Sequence, residues 1–409
     1  MEVVKENKTG FKKTKIGWIP NDWIISILGN VMRFSGGSQP PRSTFKFEET
    51  EGYIRLIQTR DYRTDKYKTY VEKSVVKKTC LKDDIIIGRY GPPIFQLFKG
   101  LEGAYNVALI KAIPNEKMVD KNYAWYYLNR RDLRAYLESL SQRSGGQTGI
   151  EMDKLKKYPF PIPPLKEQKK IAAILSTWDK AIEQTTNLIE QLKTRKKGLM
   201  QQLLTGKTRI NSFTDEWKEE KLGKYISIKS RAVNKPNKPF LALGLRSHGK
   251  GIFHKPNFDP NSIDMDTLYQ VKENDLVVNI TFAWEHAIAV ANKKDENGLV
   301  SHRFPTYQFN TNIADPMFFR YYILQPKFKY SLDSISPGGA GRNRVMSKKD
   351  FPKISVFIPS FAEQCAISKV LTTVDKEITN RINYLDVLQK QKKGLMQQLL
   401  TGQKRVSVN

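Results

Sequence analysis

A chain of 409 residues with 69 Lys and Arg against 41 Asp and Glu, and so a net charge of +28, can hold two or more separate cores and is far more basic than solubility requires. Such an excess points to a polyanionic partner, since a basic surface gathers phosphate and releases its counterions; specific nucleic-acid recognition and generic electrostatic binding both remain open on charge alone. Two cysteines, Cys80 and Cys365, exclude a disulfide framework. No run approaches the roughly 20 apolar residues of a membrane helix, and Met1-Glu2-Val3-Val4-Lys5-Glu6 lacks the apolar stretch of a secretory signal, so a soluble, cytoplasmic protein without membrane contact is expected.

Taken in chain order, residues 1–155 carry short β-prone runs (53–58 and 84–87) separated by Gly, Pro and Asn, the pattern of a compact mixed α and β domain. Pro161-Ile162-Pro163-Pro164 closes this stretch, and a heptad pattern follows. One seam runs Ile171, Trp178, Thr185, Leu192, Leu199; the other runs Leu175, Ile182, Ile189, Lys196, Leu203. Steps of three and four kept up over about five heptads predict a coiled-coil helix of about 38 residues, roughly 57 Å long, ended by Gly206. Residues 209–350 return to short β-prone runs (275–280 and 287–291). Their opening, Asp215-Glu216-Trp217 with Leu222-Gly223, resembles Asn21-Asp22-Trp23 with Leu28-Gly29; beyond it only residues 81–86 and 271–277 echo each other. Residues 351–409 repeat the helix, with seams Ile367, Val374, Arg381, Leu388, Leu395 and Leu371, Ile378, Leu385, Lys392, Leu399.

The two helical segments, 156–208 and 351–409, are copies. Gly-Leu-Met-Gln-Gln-Leu-Leu-Thr-Gly occurs at 198–206 and again 196 residues later at 394–402. At the same offset Glu167-Gln168 meets Glu363-Gln364, Asp179-Lys180 meets Asp375-Lys376, and Lys196-Lys197 meets Lys392-Lys393. The chain is therefore a tandem duplication, and its function should be something done twice. One amphipathic helix alone exposes its seam, so the simplest partner is the other copy, in an antiparallel pair that sets the two heads at opposite ends; the alternative is two helices that each recruit another chain. Lys196 and Lys392, polar positions in the seam, either set register or snorkel.

Catalytic motifs fail on inspection. Gly91-Pro92-Pro93-Ile94 has the wrong first and last residues for an adenine-methylating segment. Gly206-Lys207-Thr208 leaves a helix where a phosphate-binding loop enters one. Glu219-Glu220-Lys221 has a nuclease-like Glu-x-Lys without a strand pattern around it and reads as a solvated charge cluster. His248, His254, His286 and His302 lack zinc-ligand spacing, and His248 and His254 read as loop residues.

The layout resembles the specificity subunits of type I restriction–modification systems. The resemblance rests on Pro161-Ile162-Pro163-Pro164-Leu165 with Glu167-Gln168, on the helix ending Arg195 to Gly206, on Ile358-Pro359 with Glu363-Gln364, and on Lys392 to Gly402. It covers essentially the whole chain, with one departure: Ser360 and Phe361 stand where the first copy has Pro164 and Leu165. It implies an α+β protein with two globular mixed α/β target-recognition domains (1–155 and 209–350) separated by two long helices that pair as an antiparallel intramolecular coiled coil. It also implies double-stranded DNA as ligand, each domain reading half of a bipartite site. The implied protein partners are two DNA methyltransferase subunits and, through them, restriction motor-nuclease subunits. No cofactor is expected on this chain; S-adenosylmethionine, ATP and Mg belong to those partners.

Base-edge and phosphate contacts need exposed loops rich in Gly, Arg, Gln and Asn. The candidates are Ser38, Gln39 and Arg42; Gln58 and Arg60; Arg89 and Tyr90; Arg143 and Gln147 in the first domain. In the second they are Arg246, His248 and Lys250; Asn279; Arg303; Arg342, Asn343 and Arg344. Two further readings compete with the specificity subunit: a coiled-coil adaptor that binds nucleic acid without sequence preference, and a subunit of a related system whose methylation and cleavage share one partner chain.

Overall fold

The computed structural model describes residues 9–91, 93–140, 149–210, 213–339 and 344–407. It divides into two compact units, Met1–Thr185 with Tyr384–Asn409, and Thr186–Asn383. The division falls inside both long helices, Leu165–Leu203 and Phe361–Leu400, so each unit is a β-rich head closed by part of each helix.

In the first unit Ile24–Ile27 pairs antiparallel with Pro159–Ile162. A four-stranded sheet runs in the order Gln96–Phe98, Ile85–Gly88, Leu109–Pro114, Met32–Gly36. A five-stranded sheet runs Phe45–Lys46, Tyr70–Glu72, Tyr53–Ile57, Gly103–Tyr105, Thr79–Cys80, with a parallel pairing between its third and fourth strands. Ile85–Gly88 is buried at every position, which is why its sequence reads Ile-Ile-Ile rather than alternating. The main core gathers Trp23, Tyr123, Tyr127 and Phe160 from the head and continues into Ile171, Leu175, Leu399 and Leu400 of the helices.

The second unit repeats the plan. Lys218–Lys221 pairs with Ser355–Ile358, and the four-stranded order is Ile288–Val290, Leu276–Val278, Thr306–Phe309, Ile226–Ile228. Its five-stranded sheet runs Ile252–Phe258, Phe240–Leu245, Leu299–Val300, Thr267–Gln270, Ala232–Asn234. Four of these five strands match the first unit in order and direction; the fifth is added at the opposite edge. Both heads start the buried strand of the smaller sheet on the same turn: Asp84 accepts the Leu81 N–H at 2.9 Å and Asp275 accepts that of Lys272 at 2.8 Å. That turn explains the echo between 81–86 and 271–277.

The helices pair antiparallel within each unit. In the first, Glu167 meets Arg405, just beyond the end of the second helix, while Asp179 meets Lys392 within it, so rising numbers along one helix face falling numbers along the other. In the second, Leu192 packs on Val374 and Ile378, while Leu203 and Leu204 share a core with Ile367 and Leu371. Along the seams Ile171, Leu175, Ile189, Leu192, Leu203, Ile367, Leu371, Val374, Ile378, Leu388 and Leu399 are buried; Trp178, Ile182, Leu199, Leu385 and Leu395 are half-buried. Arg381 is exposed, so the second helix does not keep its heptad through the middle. Gly206 and Gly402 both take φ +70 just past the helix ends, the left-handed backbone that favours glycine there. Ser360 leaves the second helix start unchanged: Gln364 N–H donates to its carbonyl at 3.0 Å, as Gln168 N–H does to Pro164.

Two sequence expectations need correction. Glu219-Glu220-Lys221 does lie on a strand, Lys218–Lys221, where Glu220 is held by Lys224 and Lys221 donates to Ser355. His254 is a strand residue, its Nε2 2.7 Å from the buried Asp295 carboxylate; the alternation of Ile252–Phe258 is too weak to show a strand in the sequence.

Candidate nucleic-acid interface

In the first unit, backbone hydrogen bonds draw the candidate loops together around 105–108. Gly37 donates to Leu109, Ser38 to Tyr105, Asn106 to Ile57, and Arg89 to Ala108, at 2.8–3.1 Å. Ile150 then donates to Arg89 at 3.1 Å, and Tyr90 bridges Gly149. A Cβ at Gly37 would sit 2.0 Å from the Asn106 carbonyl oxygen, so only glycine allows this convergence. Gln39, Arg42 and Arg60 are exposed, and Ser38, Gln58, Arg89 and Tyr90 half-buried. Two guanidiniums lie over rings: Arg60 5.8 Å from the Tyr67 centroid and Arg89 5.1 Å from that of Tyr90. Beneath Arg60, Asp61 is buried; burial pushes its carboxyl above the ordinary value, against the opposing pull of the Gln58 N–H, Arg55 and Arg60. Arg143 and Gln147 lie outside the described residues.

The second unit gathers the counterpart loops. His248 donates its N–H to Glu285 and Gly249 to His286, at 2.7 and 2.8 Å; Ile280 donates to Arg303 and Met346 to Ile280, at 3.0 and 2.8 Å. Arg246, His248, Lys250 and Arg303 are exposed, with His248 at φ +63 on the hairpin tip. Two candidates are engaged internally. Asn279 is buried, its carbonyl oxygen accepting the Thr281 N–H at 3.1 Å. Arg344 lies 5.3 Å from the Trp284 ring and donates to the Ser336 and Asp333 carbonyls at 3.0 and 2.9 Å. Arg342 and Asn343 lie outside the described residues.

The helix Pro326–Ser334 packs on Ala283–Glu285 and brings Lys327, Lys329 and Tyr330, all exposed, beside these loops. Their sequence signal is Lys327-Phe328-Lys329-Tyr330, two lysines alternating with two aromatics, without the glycines that mark the candidate loops. Exposed cations, cations over rings and backbone amides suit phosphates and base edges. Among the described residues no group of three or more His, Cys, Asp or Glu can hold a metal ion.

Each head is locked to its helices by the same polar clamp. Glu167 is buried and accepts the Trp23 indole N–H at 3.2 Å and two Arg405 N–H groups at 2.7 and 2.9 Å; Arg405 also grips Asp22 bidentately. In the second unit Glu363 accepts Trp217 at 3.2 Å and Arg209 at 2.6 and 2.7 Å. Gln168 and Gln364 stitch the helix starts to the heads, each donating to two carbonyls and accepting the N–H of Asp120 or Asp315. About three turns further along each helix Tyr126 donates to Asp179, which Lys392 also meets, and Tyr321 donates to Asp375, which Lys196 meets. Burial, with the bond to Asp375, pushes the Tyr321 phenol up to about 12. Arg209 and Arg405 obey the 196-residue offset too, a signal missed because the repeat was read only as far as its glycine.

The chain matches the type I restriction modification DNA specificity domain twice, over residues 20–194 and 215–385. It is 28% identical to the MjaX type I restriction enzyme specificity subunit of Methanocaldococcus jannaschii, covering 97% of each chain. It is 25% identical to the MjaVIII specificity subunit of the same organism over 99% of this chain and 98% of that one. In fold it is similar to the crystal structure of a type I restriction–modification system S subunit from M. genitalium, with TM-score 0.54 and 16% identity over 92% of this chain and 96% of that one.

Proposed function

Because the chain belongs to the family of type I restriction–modification DNA specificity domains, which its two halves match in turn, we propose that it is the non-catalytic subunit that tells such a complex where to act. Residues 1–155 and 209–350 are the two reading domains, each taking one half of a bipartite duplex site. The helical regions, 156–208 and 351–409, fix the spacer between the half-sites and dock two methyltransferase subunits, through which motor-nuclease subunits join. S-adenosylmethionine, ATP and Mg bind those partners.

The observation that carries this reading is the pairing of sameness and difference. Two heads share the order of the smaller sheet and of four strands of the larger one, a turn and the clamps, yet the candidate loops of each carry different residues: Gln39, Arg42, Arg60 and Arg89 in one, Arg246, His248, Lys250 and Arg303 in the other. Shared scaffolds with unlike loops suit two different sequences read by one mechanism, loop side chains meeting base edges while flanking lysines hold phosphates.

The test is to produce the chain with a candidate methyltransferase subunit, map methylated sites genome-wide, and then exchange residues 1–155 for the head of another family member. One half-site should change and the other persist; a change in both rules out two independent heads. Inserting four residues beside Thr205 should lengthen the spacer and leave both halves intact, and an unaltered spacer rules out the helix as a ruler.

A further inference from the structure

The five-stranded sheet of the second unit ends on an open edge, the strand Ile252–Phe258, and beside it lies a cavity of about 460 Å³, within the ordinary range for small-ligand sites. Its aromatic wall is built from Phe240, Phe253 and Phe258. Phe240 and Phe258 stand edge to face at 5.5 Å and 63°. The Phe253 ring lies directly on Gly244, where a Cβ would be 2.4 Å from the ring, so glycine is what lets the ring form the wall. Cations cover these rings: Arg246 is 5.7 Å and Lys255 5.8 Å from Phe253, and Lys255 is 5.5 Å from Phe258. None of the described residues that line the cavity carries a carboxylate. Ser247, Asn279 and Ser301, which line it as well, belong to the loops that converge in this head.

We propose that this cavity takes one unstacked nucleobase of the bound DNA, its ring on Phe253 and Phe258 and its phosphate on Lys255 and Arg246. The inference rests on the DNA-reading role of this head and adds a second mode of contact to it. Aromatic faces with nearby cations bind bases by stacking, largely without regard to sequence. A peptide strand added to the same edge fits less well: Pro256 offers no N–H there, and Lys255 is the kind of edge residue that resists strand pairing.

Swinging out a base costs least where it is already unpaired, which sets the experiment. The full chain is titrated with two short duplexes of one sequence, one fully paired and one carrying a single bulged adenine. The wild-type chain should prefer the bulged duplex by about tenfold. Phe253→Leu, which keeps apolar bulk but removes the ring, should bring that ratio toward one by weakening the bulged duplex more than the paired one, and Lys255→Gln, which removes a phosphate contact, should weaken both duplexes. Equal wild-type affinity for the two duplexes, or a preference that survives Phe253→Leu, overturns the inference and leaves the DNA-reading role standing. Binding to neither duplex overturns both.

Discussion

Lys196 and Asp375 meet at 2.7 Å, Nζ to Oδ1, one from each copy of the repeat, and Lys392 meets Asp179 in the same way. Each seam lysine finds a carboxylate on the opposite helix that is also held by a head tyrosine, Tyr321 or Tyr126, the geometry expected of a register device. A slip of one turn leaves both carboxylates without their lysines.

The energetic consequence is modest for a single loss. Side chains of Lys196 and Asp375 are 25% and 38% exposed, so Lys196→Met should cost about 0.5–1 kcal/mol. Asp375→Lys sets like charges together and should cost more, while the exchanged pair Lys196→Asp with Asp375→Lys recovers part of the loss. Urea unfolding of the four proteins provides the check; an exchanged pair no better than Asp375→Lys alone rules out the pair as the register device.

Arg405 should matter more than its place near the end of the chain suggests. Glu167 is 1% exposed and takes two of its three donated bonds from Arg405. Arg405→Ala leaves a buried carboxylate with one indole N–H, a situation that costs about 3 kcal/mol, somewhat less here because the arginine side is 45% exposed. Adding Glu167→Gln to Arg405→Ala should restore stability, since a neutral amide tolerates burial. The measure is the denaturation midpoint; a double variant no better than Arg405→Ala places the cost elsewhere.

What the sequence disclosed follows from where its signals are repeated. The helices, their glycine stops and their mutual partnership were legible because a 196-residue offset repeats Leu, Gly and Glu-Gln in step. The two-sheet heads were legible only as short β-prone runs. Strand order is set by pairings between residues as distant as Met32 and Pro114, and nothing local encodes those. Candidate loops were legible by residue type, and the structure brings most of the described ones together. It also engages Asn279 and Arg344 inside the head, because a polar side chain looks the same in sequence whether it faces water or caps a turn. Lys327 and Lys329 were hidden for the opposite reason, lying on a helix whose neighbour, Ala283–Glu285, is far away in the chain.

His286 gives the second unit a pH dependence of definite sign. Burial pushes its pKa below the ordinary 6.5; the bond between Nε2 and the Ile323 carbonyl at 2.6 Å pulls the other way, and the nearby charges of Lys329 and His248 reinforce the lowering. The folded state therefore holds a neutral ring while the unfolded chain takes up a proton below about pH 6.5. Stability is whole above that value and is lost as pH falls through the depressed folded value. Unfolding midpoints at falling pH should drop in the wild type and drop less in His286→Asn, whose side chain accepts the left-handed backbone (φ +67). Identical slopes would assign the pH dependence to other groups.

Phosphate holding and base reading should separate in salt. Lys327 and Lys329 are exposed on the helix Pro326–Ser334 itself, not on one of the converging loops. Replacing either with Gln should weaken binding to every duplex alike and reduce the slope of log K against log salt by about 1. Arg60, exposed at the convergence of the first-unit loops, is the contrasting case: Arg60→Ala should cost about 1–3 kcal/mol on the preferred duplex and little on a random one. Titrations of both duplexes across a salt series distinguish the two. If Arg60→Ala weakens both duplexes equally and lowers the slope, Arg60 holds phosphate; if Lys327→Gln changes preference between duplexes, the flank of that helix reads bases.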